Sequence, residues 1–391
     1  MLNELKVEQV YNNLLNKPEK KILHIVEAMG GGVFTYIVDL ANQLSLEYEV
    51  YIAYSTRPQT PKDYRSYFNK NIKLIEVKNF KRSVSLIKDL KAFLEIQRIK
   101  KKINPDIIHL HSSKAGALGR WAFNGRKIPL FYTPHGYSFL MKNYGLIKRT
   151  IYRTIEGISS RRCCTTISCS FGEYEETLKL TKKALYVNNG IDINELKDMI
   201  DEYEVNKDSD NTFTVFTIGR ICHQKNPEMF NSIAEKLPNI KFLWIGDGEL
   251  RDKLSSPNIE ITGWLDRKKV LKYAINANIF LLTSLWEGLP ISLLESMYMK
   301  KLCVVSNVIG NRDVIRTGYN GFICGEIGDF IDIINKSING IDKIIINNAY
   351  QDILKEYNTI VMGEKYKNIY SKSYLESKAY GKNIKNGQVK G

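Results

Sequence analysis

Short apolar runs and stretches with apolar residues at helical spacing alternate along most of this chain. Each run has four to six residues, is rich in aliphatic and aromatic side chains, and predicts a strand. The twelve predicted strands are 21–26, 49–54, 72–77, 106–110, 129–133, 163–168, 184–187, 213–218, 240–245, 259–262, 278–282 and 302–306. Helical stretches between them favour parallel sheets, and 391 residues suffice for two cores. We therefore predict an α/β protein with two doubly wound, Rossmann-like domains facing each other across a cleft.

The boundary between the two domains is expected between Gly190 and Asn211. Asp198 to Asn211 is acidic and polar, and it precedes the first predicted strand of the second half. The expected division is an N-terminal extension over 1–20, a first domain over 21–192, a second domain over 193–370, and a tail over 371–391 that crosses back to the first domain.

The segment from Trp286 to Glu295 places a glycine and a proline directly before an apolar run at helical spacing. Because proline is favoured at the first position of a helix, Glu287 is expected in the preceding loop and Glu295 inside the helix. A helix N-terminus suits a phosphate, and carboxylates accept hydrogen bonds from hydroxyls. Phosphate and hydroxyl recognition together suggest a nucleotide-sugar, although the pattern taken alone does not favour it over the alternative. The alternative is a capped helix with two surface acids.

Two cations lie in a second loop of the same half. Arg220 and Lys225 follow the predicted strand 213–218 and Gly219, and Asn226-Pro227 predicts the start of the next helix. Arginine offers a bidentate fork and lysine a mobile point charge, so the pair can grip a diphosphate and stabilise it as it leaves. The alternative is two solvated basic residues.

A third loop, Gly30–Gly32, joins the first predicted strand to a helical stretch that starts at Val33. A strand, a glycine loop and a helix in this order let backbone approach a phosphate closely. The segment lacks the dinucleotide pattern Gly-x-Gly-x-x-Gly, and no acid stands where a ribose would need one, so NAD binding is disfavoured. A flexible turn is the alternative.

Several classes of protein are disfavoured by composition. No run approaches the ~18 apolar residues of a membrane span, and residues 1–20 lack the apolar core of a secretory signal. The cysteines form no Cys-x-x-Cys pair, as expected for reduced thiols in a cytosolic protein. Asp208-Ser209-Asp210 has the spacing of a metal-binding pair, but its place in a polar linker disfavours that role.

The excess of positive over negative charge is confined to the first half of the chain. Residues 1–190 hold 31 Lys and Arg against 16 Asp and Glu, which accounts for the whole net charge of +15. Between 146 and 162, basic residues flank isoleucines at helical spacing and predict an amphipathic helix lying on anionic lipid. The basic residues expected to face the membrane are Lys148, Arg149, Arg153, Arg161 and Arg162. One alternative is a solvated basic face. The second alternative is nucleic-acid binding, which is disfavoured because the sequence contains no known nucleic-acid-binding motif.

Taken together, these segments resemble the retaining glycosyltransferases of family 4, which have the two-domain GT-B fold. The resemblance extends over residues 21–370, with the matching segments in family order. They are Gly30–Gly32, Pro105 to His111, Thr133-Pro134-His135-Gly136, Thr166 to Ser170, Asn188 to Asp192, Gly219-Arg220, Lys225-Asn226, Ile245 to Gly248, Gly263-Trp264, Glu287 to Glu295 and Gly318 to Gly321. One departure is Val33-Phe34-Thr35 after the glycines, where many members place a charged residue.

The resemblance implies roles in donor binding. Arg220 and Lys225 would hold the diphosphate, Glu295 the ribose, and Glu287 the transferred sugar. The base would lie near Gly246, Gly263 and Trp264. The remaining implied donor contacts are Gly31, Gly32, Asn189, Gly219, Gly288, Leu289, Pro290 and Ile291.

It also implies the catalytic group and the acceptor side. The implied catalytic residues are His135, Arg220, Lys225 and Glu287, with His135 near the sugar and the acceptor. The residues expected to face the acceptor are His111, Lys114, Arg120 and Tyr137. His109, which alternates within a predicted strand, is expected to be a core histidine with its hydrogen bonds satisfied.

The implied activity is transfer of a sugar, with retention of anomeric configuration, to a lipid-linked glycan in synthesis of a bacterial surface polysaccharide such as a capsule. The expected donor is a UDP-sugar, with a GDP-sugar as the second choice. No cofactor and no essential metal are expected. The expected location is the cytoplasm, peripheral to the inner face of the membrane. Two different functions stay open: a nucleotide-sugar epimerase of related fold, and a non-enzymatic basic protein that binds membrane or nucleic acid.

Overall fold

The computed structural model describes residues 20–57, 59–81, 85–141, 144–204 and 212–385. The N-terminal extension up to residue 19, Asp208-Ser209-Asp210 and the last six residues of the expected tail lie outside these ranges.

The first domain is built on seven parallel strands. They are β1 (Lys21–Met29), β2 (Glu49–Thr56), β3 (Lys73–Glu76), β4 (Ile107–His111), β5 (Leu130–Thr133), β6 (Thr165–Ser168) and β7 (Ala184–Tyr186). Their order in the sheet is β3-β2-β1-β4-β5-β6-β7, and every neighbouring pair is parallel. The order reverses between β1 and β4, and a crevice for a ligand opens at such a reversal in doubly wound sheets.

The second domain repeats the plan with six strands. They are β8 (Thr214–Ile218), β9 (Lys241–Ile245), β10 (Ile259–Ile261), β11 (Ile279–Leu282), β12 (Leu302–Ser306) and β13 (Phe322–Cys324), in the order β10-β9-β8-β11-β12-β13. All pairs are parallel, and the order reverses between β8 and β11. The predicted fold class is confirmed, and each of the twelve predicted strands forms. The sequence analysis did not predict β13.

Helices cover both faces of both sheets. They are α1 (Gly31–Leu44), α2 (Leu86–Ile103), α3 (Ser113–Ala122), α4 (Leu146–Ser160), α5 (Phe171–Leu178), α6 (Ile193–Glu204), α7 (Pro227–Lys236), α8 (Arg267–Asn276), α9 (Ile291–Tyr298), α10 (Asn311–Val314), α11 (Ile327–Ile338), α12 (Lys343–Lys355) and α13 (Thr359–Lys385). Each domain has two apolar clusters, one on each side of its sheet. Apolar packing on both faces explains why the strands are nearly continuous apolar runs.

The segment between the domains is more regular than expected. Helix α6 occupies the start of the polar stretch, and its Leu196 is fully buried in the core of the second domain. The chain thus enters the second domain at α6, before its first strand.

The last helix returns to the first domain. In α13, Met362, Tyr366 and Tyr370 are buried among the residues of α1 and the first sheet. The Tyr36 hydroxyl donates to Tyr366 Oη at 2.5 Å, and Tyr370 Oη lies 2.6 Å from His109 Nδ1. The crossing therefore begins at Thr359, and the expected division after residue 370 falls inside a helix that already packs on the first domain.

Tyr366→Ala is expected to destabilise the protein by about 3–5 kcal/mol, because it opens a cavity in the core of the first domain and removes a buried hydroxyl partner. The measurement is the free energy of unfolding in urea. Leu375→Ala on the same helix is the control: Leu375 is 65% exposed, so a change below about 0.5 kcal/mol is expected. Equal losses in both variants would contradict this account of α13.

Candidate active site

Backbone contact between glycines shapes the loop that follows β8. Gly219 has φ of +148°, a conformation that side chains disfavour, and a Cβ there would lie 3.3 Å from Lys225 Cε. A Cβ on Gly246 would lie 2.2 Å from the carbonyl oxygen of Gly219. These glycines therefore let two strand-end loops meet and leave room for the Lys225 side chain.

Glu287 follows β11 at the same edge of the sheet, and three donors hold its carboxylate. Lys225 Nζ and Ser284 Oγ each donate to Glu287 Oε1 at 2.7 Å, and Gln224 Nε2 donates to Oε2 at 3.2 Å. Both the lysine and the carboxylate are largely shielded from water. A charge-assisted pair of this geometry is strong and directional, so the site has a fixed carboxylate beside a fixed cation.

Arg220 is the second cation of this loop. Its Nε and Nη2 each lie 2.9 Å from Glu249 Oε2, and both side chains are partly exposed. An exposed pair of this kind contributes little stability, so the guanidinium can exchange its carboxylate for a phosphate at small cost.

Helix α9 presents the second acid. The helix begins at Ile291, one residue later than expected, with Pro290 as its N-cap. Glu295 is buried, and its Oε1 lies 2.7 Å from Nη2 of Arg267 at the start of α8. Burial alone would lower the pKa of Arg267, but Glu295 and Glu195 outweigh it and raise that pKa. The sequence analysis missed Arg267, although Asp266 at the N-cap of α8 marks where that helix starts.

The end of the site assigned to the base is open. Trp264 is 58% exposed, and Gly263 has φ of +73°. A Cβ on Gly263 would lie 3.7 Å from Asp247 Oδ2, and Gly246 N donates to Thr262 Oγ1 at 3.3 Å. A flat aromatic side chain with an exposed face beside polar groups is suited to stacking on a planar ring.

The glycine loop of the first domain is shorter than expected. Helix α1 already begins at Gly31, two residues before Val33, and Gly31 has φ of +56°. A Cβ on Gly31 or Gly32 would have no heavy atom within 4 Å, apart from its chain neighbours and helix backbone. The first turn of α1 is therefore exposed, and a ligand can approach its backbone.

His135 stands where the two domains touch. It follows β5 with φ of +56°, which is strained for this residue type, and Gly136 follows with φ of +91°. A Cβ on Gly288 would lie 3.2 Å from Gly136 N and 3.3 Å from His135 C, so the two loops meet backbone to backbone. Burial lowers the pKa of His135 to about 3, so its imidazole is neutral at physiological pH.

Further bonds connect the domains around this contact. Asn189 Nδ2 donates to Leu289 O at 2.8 Å, and Gly172 N donates to Asp313 Oδ2 at 3.0 Å. The buried carboxylate of Glu173 accepts from Gly136 N at 2.6 Å and from Cys169 N at 2.8 Å, which ties down the loop that carries His135. The structure thus brings His135, Glu287 and Gly288 together.

Three of the four residues expected to face an acceptor lie in the interior instead. Arg120 is buried, with Nη2 2.6 Å from Glu156 Oε2 and its guanidinium 4.3 Å from the ring centroid of Tyr132. Tyr137 is buried, with its hydroxyl 2.8 Å from Thr177 Oγ1. The expectation for Arg120 and Tyr137 was wrong because each has a buried partner distant in sequence.

The remaining two expected acceptor contacts, His111 and Lys114, are bonded to other groups of the first domain. His111 is fully buried and bonds to neighbouring histidines, so that expectation was wrong as well. Lys114 Nζ is 2.7 Å from Asp89 Oδ1, which fixes α3 to α2. His109 is buried as expected, with Nδ1 against Tyr370 Oη and Nε2 2.9 Å from Thr133 Oγ1.

Within the described residues, His24, His109 and His111 are the group of side chains whose ligand atoms lie close enough to share a metal ion, all within 4.8 Å of one another. Five of their six ring nitrogens lie within hydrogen-bonding distance of another histidine, Tyr370 or Thr133, and His24 Nε2 has no partner among the described residues.

Helix α4 exposes an apolar stripe beside basic side chains. Ile147 is 81% exposed, and Lys148, Arg153, Arg161 and Arg162 are exposed with it, whereas Arg149 is half-buried and donates to Phe139 O. The further exposed apolar residues of the helix are Leu146, Ile151, Ile155 and Ile158. None of the helices in the described ranges is long and apolar enough to cross a bilayer.

Two family models together cover most of the chain. "Glycosyltransferase Family 4" matches residues 30–195 and "Glycosyl transferases group 1" matches residues 198–359, which correspond to the two domains. The chain therefore belongs to the group 1 glycosyltransferases of GT-B fold, and it is a glycosyltransferase.

Individual relatives agree with this assignment. The chain is 29% identical to a UDP-Gal:alpha-D-GlcNAc-diphosphoundecaprenol alpha-1,3-galactosyltransferase of Escherichia coli, over 78% of this chain and 85% of the relative. It is 25% identical to a GalNAc-alpha-(1->4)-GalNAc-alpha-(1->3)-diNAcBac-PP-undecaprenol alpha-1,4-N-acetyl-D-galactosaminyltransferase of Campylobacter jejuni, over 85% of this chain and 93% of the relative. The structure of sucrose-phosphate synthase from Thermosynechococcus elongatus superposes with a TM-score of 0.76 at 15% identity, covering 92% of this chain and all of that one.

Lys225→Ala is expected to lower turnover of a nucleotide-sugar by about 100-fold, because it removes a fixed cation from beside Glu287. The measurement is release of nucleoside diphosphate. The control is Lys241→Ala, which removes a lysine from an exposed pair with Glu260 and should leave turnover unchanged. Full activity in Lys225→Ala would overturn the site assignment.

Proposed function

We propose that the chain transfers a sugar from a UDP-sugar, with retention of configuration, to a hydroxyl of a glycan linked to a lipid diphosphate. The observation that carries this proposal is the Lys225–Glu287 pair at the strand-order reversal of the second sheet, facing His135 of the first domain. Two relatives whose names specify diphosphoundecaprenol-linked or PP-undecaprenol-linked acceptors support the acceptor class, and the name of one specifies UDP-Gal. The pathway is synthesis of a bacterial surface polysaccharide.

The donor occupies the second domain in this proposal. Arg220 and Lys225 hold the diphosphate from two sides, and Glu287 accepts hydrogen bonds from the hydroxyls of the transferred sugar. Glu295 binds the ribose hydroxyls while Arg267 holds its carboxylate in place. The base stacks near Trp264, between Gly246 and Gly263.

Retention is the stereochemical outcome that the resemblance to the family 4 glycosyltransferases implies. In this proposal Glu287 does not act as a nucleophile, because bonds from Lys225, Ser284 and Gln224 reduce the availability of its lone pairs. The acceptor hydroxyl therefore attacks from the face that the diphosphate leaves, and a phosphate oxygen takes its proton. Arg220, Lys225 and the N-terminus of α9 neutralise the leaving group, so no metal is required.

The acceptor is presented at an anionic membrane surface. The exposed isoleucines of α4 enter the interface between headgroups and acyl chains, and Lys148, Arg153, Arg161 and Arg162 contact anionic headgroups. The net charge of +15 on residues 1–190 orients this domain toward the membrane. The protein then acts in the cytoplasm, at the inner face of the membrane.

UDP is expected to bind more tightly than GDP, ADP or CMP. This binding is expected to persist with EDTA present, because side chains rather than a metal hold the diphosphate. Isothermal titration calorimetry measures the affinity, and product analysis of the transferred linkage measures retention. Selective GDP binding would correct the donor class. Strict dependence on Mg²⁺ or Mn²⁺ would refute the proposed mechanism. Turnover of the nucleotide-sugar without acceptor would favour an epimerase.

The double variant Ile147→Glu, Ile151→Glu is expected to weaken binding to phosphatidylglycerol vesicles by more than about tenfold, because it loses two inserted side chains and adds two negative charges. Cosedimentation measures binding, with phosphatidylcholine vesicles as the uncharged reference. Leu375→Glu, an exposed leucine on α13, is the matched control. Equal binding by the wild-type protein, the double variant and Leu375→Glu would contradict the membrane role. Binding to DNA in place of vesicles would contradict it as well.

A further inference from the structure

Three neighbouring strands place a row of histidines between the core of the first domain and the cleft. His24 lies on β1, His111 ends β4, and His135 follows β5. His135 Nε2 is 3.2 Å from His111 Nδ1, and His111 Nε2 is 2.9 Å from His24 Nδ1. The ring of Tyr36 packs edge-on against His135 at 4.5 Å between centroids, which fixes the plane of that ring.

All three imidazoles of the row are neutral. Burial lowers the pKa of His24 and of His135 to about 3, and it lowers the pKa of His111 well below its usual value, with the neighbouring histidines adding to the effect. A neutral imidazole has one N–H and one lone pair. The two bonds of the row must therefore run in the same direction, either toward the cleft or away from it.

The buried end of the row decides the direction. His24 Nε2 is buried, and no group in the described part of the chain bonds to it. A buried N–H without an acceptor is rarer in proteins than an acceptor without a donor, so this nitrogen carries the lone pair. His24 then donates from Nδ1 to His111 Nε2, and His111 donates from Nδ1 to His135 Nε2.

The opposite end of the row lies at the contact between the two domains. With Nε2 accepting, His135 carries its proton on Nδ1, which no described side chain or backbone group engages. The backbone of His135 abuts Gly288, next to Glu287, so this N–H lies at the junction of the two domains. A hydroxyl or a phosphate oxygen there meets a hydrogen-bond donor rather than a lone pair.

We propose that His24 and His111 are positioning residues, which hold His135 as the Nδ1–H tautomer and so make it a hydrogen-bond donor to oxygen atoms in the cleft. The effect on turnover rests on the proposed glycosyl transfer, whereas the tautomer is a property of the protein alone. His109 lies in the same row of strands but outside the chain of bonds, because Tyr370 and Thr133 engage its two nitrogens.

The test is ¹⁵N NMR of the ligand-free protein labelled at histidine, which reports which ring nitrogen carries the proton. The chain has five histidines, so His135→Asn identifies the signals of His135 by their loss. The wild-type protein is expected to show His135 protonated at Nδ1. His24→Leu removes the first donor and should shift His135 toward the Nε2–H tautomer.

Kinetics of the same variants give the second readout. His24→Leu should lower kcat about tenfold, with the KM for the donor changed less than about twofold, since His24 is remote from the cleft. His24→Asn should restore both the tautomer and kcat, because its amide N–H takes the place of Nδ1–H. His109→Asn is the matched control in the same buried row, and it should leave the tautomer of His135 as in the wild type.

Two results would overturn the proposal: His135 protonated at Nε2 in the wild-type protein, or an unchanged His135 tautomer in folded His24→Leu. If His24→Leu does not fold, the wild-type spectrum and His24→Asn still decide. Failure of glycosyl transfer with His135 protonated at Nδ1 would refute the proposed function and leave the positioning role intact.

Discussion

The site depends on close backbone contact between the two domains at Gly288 and the His135–Gly136 loop. A single Cβ on Gly288 would press on Cys169 Sγ and on the backbone of both residues. The loop reaches this position in a left-handed conformation, and the buried carboxylate of Glu173 holds it there. Because Glu287 precedes Gly288 directly, this contact sets the distance between the carboxylate of one domain and the histidine of its neighbour.

Charges in the second domain are paired before any ligand arrives. Lys225 pairs with Glu287, Arg220 with Glu249, and Arg267 with Glu295. A buried unpaired charge is costly, so the pairing of Lys225 and of Arg267 with shielded carboxylates stabilises this part of the domain. A diphosphate would compete for the cations, and Glu287 would keep Ser284 and Gln224 as donors while it accepts sugar hydroxyls.

Helix α13 links the same two domains at a distance from the cleft. It follows α12 of the second domain, and its tyrosines are buried against α1 and the sheet that carries the histidine row. Tyr366 bonds to Tyr36, whose ring packs on His135, so the helix supports His135 through Tyr36. The domains are therefore joined both at the site and by a core that the C-terminal helix completes.

The sequence by itself determined the strands, the doubly wound class and the loops that carry Gly219, Lys225 and Glu287, because periodicity and turn chemistry are local. It also placed Glu295 inside a helix. Tertiary structure alone decided that Arg120 pairs with Glu156, that Arg267 holds Glu295, and that His24 reaches His111 across 87 residues. Whether a polar residue faces a cleft or a buried partner depends on groups far away in the chain. No local pattern reports such groups, which is why His111, Arg120 and Tyr137 were misplaced and His24 was overlooked.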